Sequence, residues 1–200
     1  FNQPIGAWNT SNVTDMTSVF EEAYEFNQPL NSWDTSNVTS FYRTFFVAKS
    51  FNQPLNSWDT SKVTSMYQMF RSATAFDQNL GSWNVSLVTS AVAMFDYSKL
   101  STDNYDALLI GWNAQVLKSG VVFSGGSSNY CASASARASI VASDNWTISD
   151  AGQDCSQAKP TDVRLDGSHV KAIAENNTAG NTIGALTTVD LTPSDTHSFS

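Results

Sequence analysis

Phe1-Asn2-Gln3-Pro4, Phe26-Asn27-Gln28-Pro29 and Phe51-Asn52-Gln53-Pro54 are identical, and Phe76-Asp77-Gln78-Asn79 is a relaxed fourth copy. The copies begin 25 residues apart, without insertion. Other columns keep the same register: Trp8, Trp33, Trp58 and Trp83; Ile5, Leu30, Leu55 and Leu80; Val13, Val38, Val63 and Val88; Phe20, Phe45, Phe70 and Phe95. A strict internal period restricts the fold more than any composition does. One 25-residue unit cannot enclose its own Phe, Leu, Trp and Val side chains. Stacked units set each residue over its counterpart and make a continuous core.

The period lies inside the window of leucine-rich repeats, about 20–29 residues. Each unit then reads as one coil. Leu30 to Trp33 is a short extended stretch, and Asp34-Thr35-Ser36-Asn37 is a turn, because Asp, Ser and Asn bond back to their own backbone. The spacing of Phe41, Phe45 and Ala48 predicts a short helix from about Thr39 to Ala48, as do Met66, Met69, Phe70 and Ala73 in the next unit. The following Phe-Asn-Gln-Pro turns the chain, since Pro does not continue a helix. The expected architecture is an α/β solenoid, a leucine-rich-repeat-like right-handed coil with repeats at about 1–25, 26–50, 51–75 and 76–100. Trp8, Trp33, Trp58, Trp83, Phe20, Phe45, Phe70 and Phe95 form its core, with Trp33 and Trp58 stacked one coil apart.

Three polar columns admit two readings each. Gln3, Gln28, Gln53 and Gln78 are either a ligand-binding amide ladder or buried amides satisfying backbone groups at the turn, and the second is favoured. Asn9, Asp34, Asp59 and Asn84 are turn caps rather than cation ligands on the same argument. Thr14, Thr39, Thr64 and Thr89 either present a flat hydroxyl array or cap the expected helices.

Charge excludes several functions. Against 18 acidic residues stand 10 basic ones, a net charge of −8, the wrong sign for nucleic acid or an anionic membrane surface. No apolar run approaches the roughly 18 residues of a membrane span. The two histidines, His169 and His197, lie far from the repeats, and no phosphate loop, Cys-x-x-Cys or His-Glu-x-x-His pattern occurs. The chain is therefore expected not to be an enzyme and to have no cofactor in its repeats. Cys131 and Cys155, alone in the chain, read as a disulfide of an oxidising compartment, the alternative being two buried free thiols.

The period breaks after Phe95. Asp103–Ala114 reads as an amphipathic helix with Ser101 or Thr102 as cap, Val121–Phe123 as a strand, Ala132–Val141 as a helix and Trp146–Ile148 as another strand. Residues 101–155 so form a final enlarged coil that caps the stack.

The run Phe26 to Ser40, Phe-Asn-Gln-Pro-Leu-Asn-Ser-Trp-Asp-Thr-Ser-Asn-Val-Thr-Ser, resembles the repeat of BspA-like surface proteins, a leucine-rich-repeat variant also catalogued as a mycoplasma lipoprotein-associated repeat. The resemblance covers about residues 1–155 and weakens in the fourth copy at Asn79, Val85 and Ala91. It implies a cell-surface or extracellular location and a link to adhesion. Asn129-Tyr130-Cys131, Trp146-Thr147-Ile148 and Asp150-Ala151-Gly152 through Cys155 resemble the segment closing such repeats, which makes the loop between the cysteines a staple on the cap. Residues 156–161, with Pro160, read as a linker. From 162 to 200, Glu175-Asn176-Asn177-Thr178 through Asp190 and Asp195-Thr196-His197 resemble the start of a cadherin-like β-sandwich. That likeness implies calcium ligands at Glu175 and Asp190; the alternative is an ordinary solvated strand. Phe1 stands inside a repeat, so the chain is expected to be a piece of a longer protein, monomeric as a piece.

The expected function is adhesion or recognition of a protein or glycan outside the cell. The binding face would use positions that differ between units: Tyr42, Arg43, Lys62, Tyr67 and Arg71. Two alternatives stand beside it, a purely structural spacer and binding of ice or polysaccharide surfaces through the Thr and Ser columns.

Overall fold

The computed structural model describes residues 1–156. The expected linker beyond Ser156, the cadherin-like segment and the proposed calcium ligands Glu175 and Asp190 lie outside the described residues. Consecutive 25-residue units lie against one another. Phe20, Phe45, Phe70 and Phe95 stack ring on ring at 5.2, 5.5 and 5.4 Å, and Phe26, Phe51 and Phe76 make a second column at 6.0 Å per step. These rings are buried, as are Leu30, Leu55 and Leu80. Apolar area leaving water, at about 25 cal/mol per Å², is the main force holding one unit to the next.

The helix expected from Thr39 to Ala48 is not there. This stretch is a run of tight turns, as is the matching stretch of each other unit. The amides of Phe41, Arg43, Phe45 and Val47 donate outward to the carbonyls of Ser65, Tyr67, Met69 and Arg71 in the next unit, at 2.8 to 2.9 Å. Between them Thr44, Phe46 and Ala48 close turns onto Phe41, Arg43 and Phe45. Each pair of turns advances four residues, so Phe41 and Phe45 face the core together, as they would at i and i+4 of a helix. The turns demand left-handed backbone: φ is 52° at Arg43 and 57° at Val47, and the same two positions are positive in every unit. Glycine normally occupies this region. Here non-glycine residues are held in it by hydrogen bonds from both sides.

Two further ladders join the units. Asp15, Ser40, Ser65 and Ser90 form parallel bridges, and the amides of Thr39, Thr64 and Thr89 each donate to the threonine carbonyl one unit earlier. The indoles of Trp33, Trp58 and Trp83 donate to the carbonyls of Ile5, Leu30 and Leu55 at 3.0 to 3.1 Å. Phe41 packs against both Trp58 and Trp83, at 5.1 and 6.1 Å. Trp33 and Trp58 are buried at equivalent places one unit apart, and Phe41 of the second unit lies against the indoles of the third and fourth. Trp8 departs from the expected core: it stacks on Trp33 at 6.5 Å but is 62% exposed.

After the fourth unit, helix α1 (Thr102–Asn113) starts on a Ser101 cap whose hydroxyl accepts the Asn104 amide. Strand β1 (Val122–Ser124), helix α2 (Ala134–Ser143) and strand β2 (Thr147–Ser149) follow. Ala91 and Phe95 donate to Val122 and Ser124, so β1 continues the ladder of the repeats. β2 then pairs parallel to β1, Phe123 opposite Ile148. Phe123 meets Phe95 edge-on at 6.3 Å and ends the ring-on-ring column. Helix α1 lies so close to the fourth unit that Gly81 and Gly111 approach backbone to backbone, where a Cβ on either would overlap the other element.

Candidate functional site

The turn ladder determines which side chains are free for a partner. Residues that feed Phe, Met or Ala inward alternate with residues that project outward, and the outward ones differ between units. Tyr42 and Tyr67 stack on each other at 4.9 Å with planes 9° apart. Their faces are spent on one another, and their edges and phenol hydroxyls are left for a partner. Arg43 is ion-paired with Glu21 at 2.7 Å and lies 3.9 Å over the Phe46 ring. Its Nε is buried without a hydrogen-bond acceptor. The Arg71 guanidinium lies 5.9 Å from Phe46 and 5.2 Å from Tyr97. Among the described residues it has no carboxylate partner. Tyr97 is 71% exposed, and Lys49 sits 5.3 Å over Tyr24. A stripe of aromatic and cationic side chains thus crosses all four units of an acidic chain.

Four of the five sequence-derived binding positions, Tyr42, Arg43, Tyr67 and Arg71, lie on this turn segment. Lys62 does not: its Nζ donates to Asn37 at 2.8 Å, on the column two positions before the threonines. Sequence reasoning missed Phe46 and Tyr97. The available signal was that Phe46 and Tyr97 break their columns, a ring standing where other units carry Glu21, Arg71 and Asp96, or Glu22, Val47 and Ser72.

The polar columns have structural employment. Asn2, Asn27 and Asn52 each accept the amide of the residue 25 later and the Gln side chain of that unit, at 2.8 to 3.0 Å. The glutamines are half-buried or exposed and serve this asparagine ladder, with only Gln78 also bonding a backbone carbonyl, that of Asn52. Asp77 ends the ladder by accepting Ser101 and Asn104 at the start of α1. Asp34 and Asp59 accept the amides of Ser36 and Ser61 as turn caps, and the bonds from those serines hold both carboxyls below the usual range. The Thr column caps no helix. Thr39, Thr64 and Thr89 send their hydroxyl protons to the threonine carbonyl one unit earlier, at 3.1 to 3.2 Å.

In the cap, Cys131 and Cys155 are joined, their Cα atoms 5.0 Å apart. Beside them Asp106 of α1 accepts the amides of Cys131, Ala132 and Ser133 and the Ser133 hydroxyl, and so caps α2 from outside. Burial works to raise its pKa, but the Ser133 hydroxyl and the three amides outweigh it and hold the carboxyl below its ordinary value. Asp150, its side chain 2% exposed, takes Arg137 Nε at 2.7 Å and the Tyr105 hydroxyl at 2.9 Å. Burial, then the Asp150 charge, push the Tyr105 hydroxyl far up. Among the described residues no group of three or more His, Cys, Asp or Glu side chains is placed to hold a metal ion, and no helix is long and apolar enough to cross a membrane.

No curated protein and no solved structure matches this chain. The family described as "Mycoplasma protein of unknown function, DUF285" matches residues 1–108, the four units and the first part of α1. With more than half of its length matched, the chain belongs to that family.

Proposed function

We propose that this chain is a non-catalytic recognition module of an extracellular or cell-surface protein, a BspA-like solenoid of the leucine-rich-repeat class that serves adhesion. The observation that carries the reading is the stripe of Tyr42, Arg43, Phe46, Tyr67, Arg71 and Tyr97. Tyr and Arg dominate binding hot spots because each offers large area and directed donors at little entropic cost. The stripe sits at the positions where the units differ, on a scaffold whose backbone groups are already paired. A pull-down against matrix proteins and a glycan array test it, with Arg71→Ala and Tyr67→Ala as the variants. Loss of the captured ligand with either variant supports the reading; capture of nothing by the parent chain favours the spacer alternative.

The exposed Thr row is the one observation on the side of surface binding to ice or polysaccharide. Its hydroxyl protons are spent on carbonyls and Lys62 and Leu87 stand beside it, which weighs against a flat array; an ice-recrystallisation assay decides. For the segment resembling a cadherin, calcium at Glu175 and Asp190 is part of the same proposal. A chain carrying the complete module should melt higher in millimolar Ca²⁺ than in EDTA, and Glu175→Ala should shrink the difference.

A further inference from the structure

The fourth unit loses a bond that the earlier ones keep. The Ser32 hydroxyl donates to the Gly6 carbonyl, and the Ser57 hydroxyl donates to the Asn31 carbonyl at 2.7 Å, with the Asn31 amide oxygen 2.9 Å away. The corresponding Ser82 and Asn56 make no such bond, and neither side chain has another partner among the described residues. Asn79, which replaces the proline of the other units, gives its oxygen to the Gly81 amide at 2.8 Å and keeps its NH₂ group free. These three side chains line an open groove of about 640 Å³ between the third and fourth units and helix α1. Its remaining wall is Pro54, Gln78 and α1, where Ile110 is 49% exposed. Gly81 and Gly111 keep the groove's inner end in shape through their close backbone approach.

No charged side chain lines the groove. Its free groups are the Asn56 carboxamide and the Ser82 hydroxyl, which both donate and accept, and the Asn79 NH₂, which donates, beside a small apolar wall. The volume falls within the range of small-molecule clefts, about 300–1,000 Å³. A ligand bearing net charge would find no counter-ion there. A ligand with several adjacent hydroxyls and apolar ring edges would satisfy every free group. We infer that this groove is a carbohydrate subsite that takes a neutral sugar unit, Asn56, Asn79 and Ser82 bonding its hydroxyls and Ile110 lying under its ring. The inference rests on the recognition reading above but uses a different surface from the Tyr–Arg stripe.

The test is isothermal calorimetry and saturation-transfer NMR of the 200-residue chain with linear neutral hexasaccharides of glucose, mannose and xylose, and with an oligogalacturonate of the same length. Asn56→Ala and Ser82→Ala remove groups with no role inside the protein, so folding should be unaffected. Each should weaken binding of a neutral oligosaccharide about three- to tenfold, the loss of one hydrogen bond, and Ile110→Asp should abolish it. Arg71→Ala should leave it unchanged. Binding of the oligogalacturonate alone, or binding lost with Arg71→Ala yet indifferent to Asn56→Ala and Ser82→Ala, overturns the groove while leaving the stripe as a recognition surface. Absence of binding to all of these sugars overturns the subsite; a protein captured through the stripe would still uphold the recognition reading. A partner protein whose capture depends on Asn56 or Ser82, without sugar binding, overturns the carbohydrate assignment.

Discussion

The indole of Trp112, in helix α1, donates to the carbonyl of Leu80 at 3.2 Å, the bond that Trp83 makes to Leu55 one unit earlier. A helix thereby supplies the column's next indole, although Trp112 lies 29 residues after Trp83 where the repeat would place it 25 after. Trp112→Phe should keep most of the packing and remove one of the two bonds to the Leu80 carbonyl, which the Trp83 amide still pairs, at a cost of about 0.5–1.5 kcal/mol. Trp112→Ala should cost about 3–5 kcal/mol. Urea unfolding followed by circular dichroism measures both, and equal losses for the two variants would show that the hydrogen bond contributes nothing.

Val47 holds φ at 57° with a β-branched side chain, a conformation that costs about 1–3 kcal/mol. Glycine there removes the clash and loses about 0.5–1 kcal/mol to unfolded-state entropy. Val47→Gly should therefore be neutral to stabilising, by up to about 2 kcal/mol. A helix at this position would lose stability with the same change, so the sign of the shift in unfolding midpoint separates the two conformations.

Asp106 should make the cap acid-sensitive. Its carboxyl titrates lower in the folded protein than the ordinary value of about 3.9 in the unfolded chain. The stability it contributes is fully present above the unfolded value and is lost as pH falls through the folded one. Urea midpoints at pH 7, 4 and 2 should fall in that order. Asp106→Asn should be less stable at neutral pH and show a shallower fall below pH 4.

Reduction of Cys131–Cys155 opens a loop of sequence separation 24. Chain-entropy arithmetic gives about 3–4 kcal/mol for a loop of this size. Limited proteolysis of the reduced protein should cut between Cys131 and Cys155 before it cuts the repeats, because the units further in keep both neighbours. Intact mass after alkylation without reductant should show no alkylated cysteine.

The columns were legible in the sequence because stacking demands that like residues recur at one period. Phe45 over Phe70 and Phe26 over Phe51 follow from the 25-residue count alone. The cap's four elements could also be placed to within a few residues, from the alternation in Val121–Phe123 and the cap at Ser101. The conformation of residues 39–48 was not legible. Phe41, Phe45 and Ala48 show a spacing that a helix and a pair of four-residue turns share. A single unit has no donors or acceptors to decide between them; the adjacent unit does, by offering a carbonyl to every second amide. For the same reason the stripe could be guessed only in part. Arg43, Phe46, Arg71 and Tyr97 come from three units and meet only once those units are stacked at hydrogen-bonding distance. The groove beside Gly81 has no local signature at all, since one of its walls is a helix from outside the period, packed on the fourth unit where a fifth unit would stand. Local spacing determines which side chains must be buried. The pairing of backbone groups between units, which no single unit contains, decides which conformation buries them and which side chains are left over for a partner.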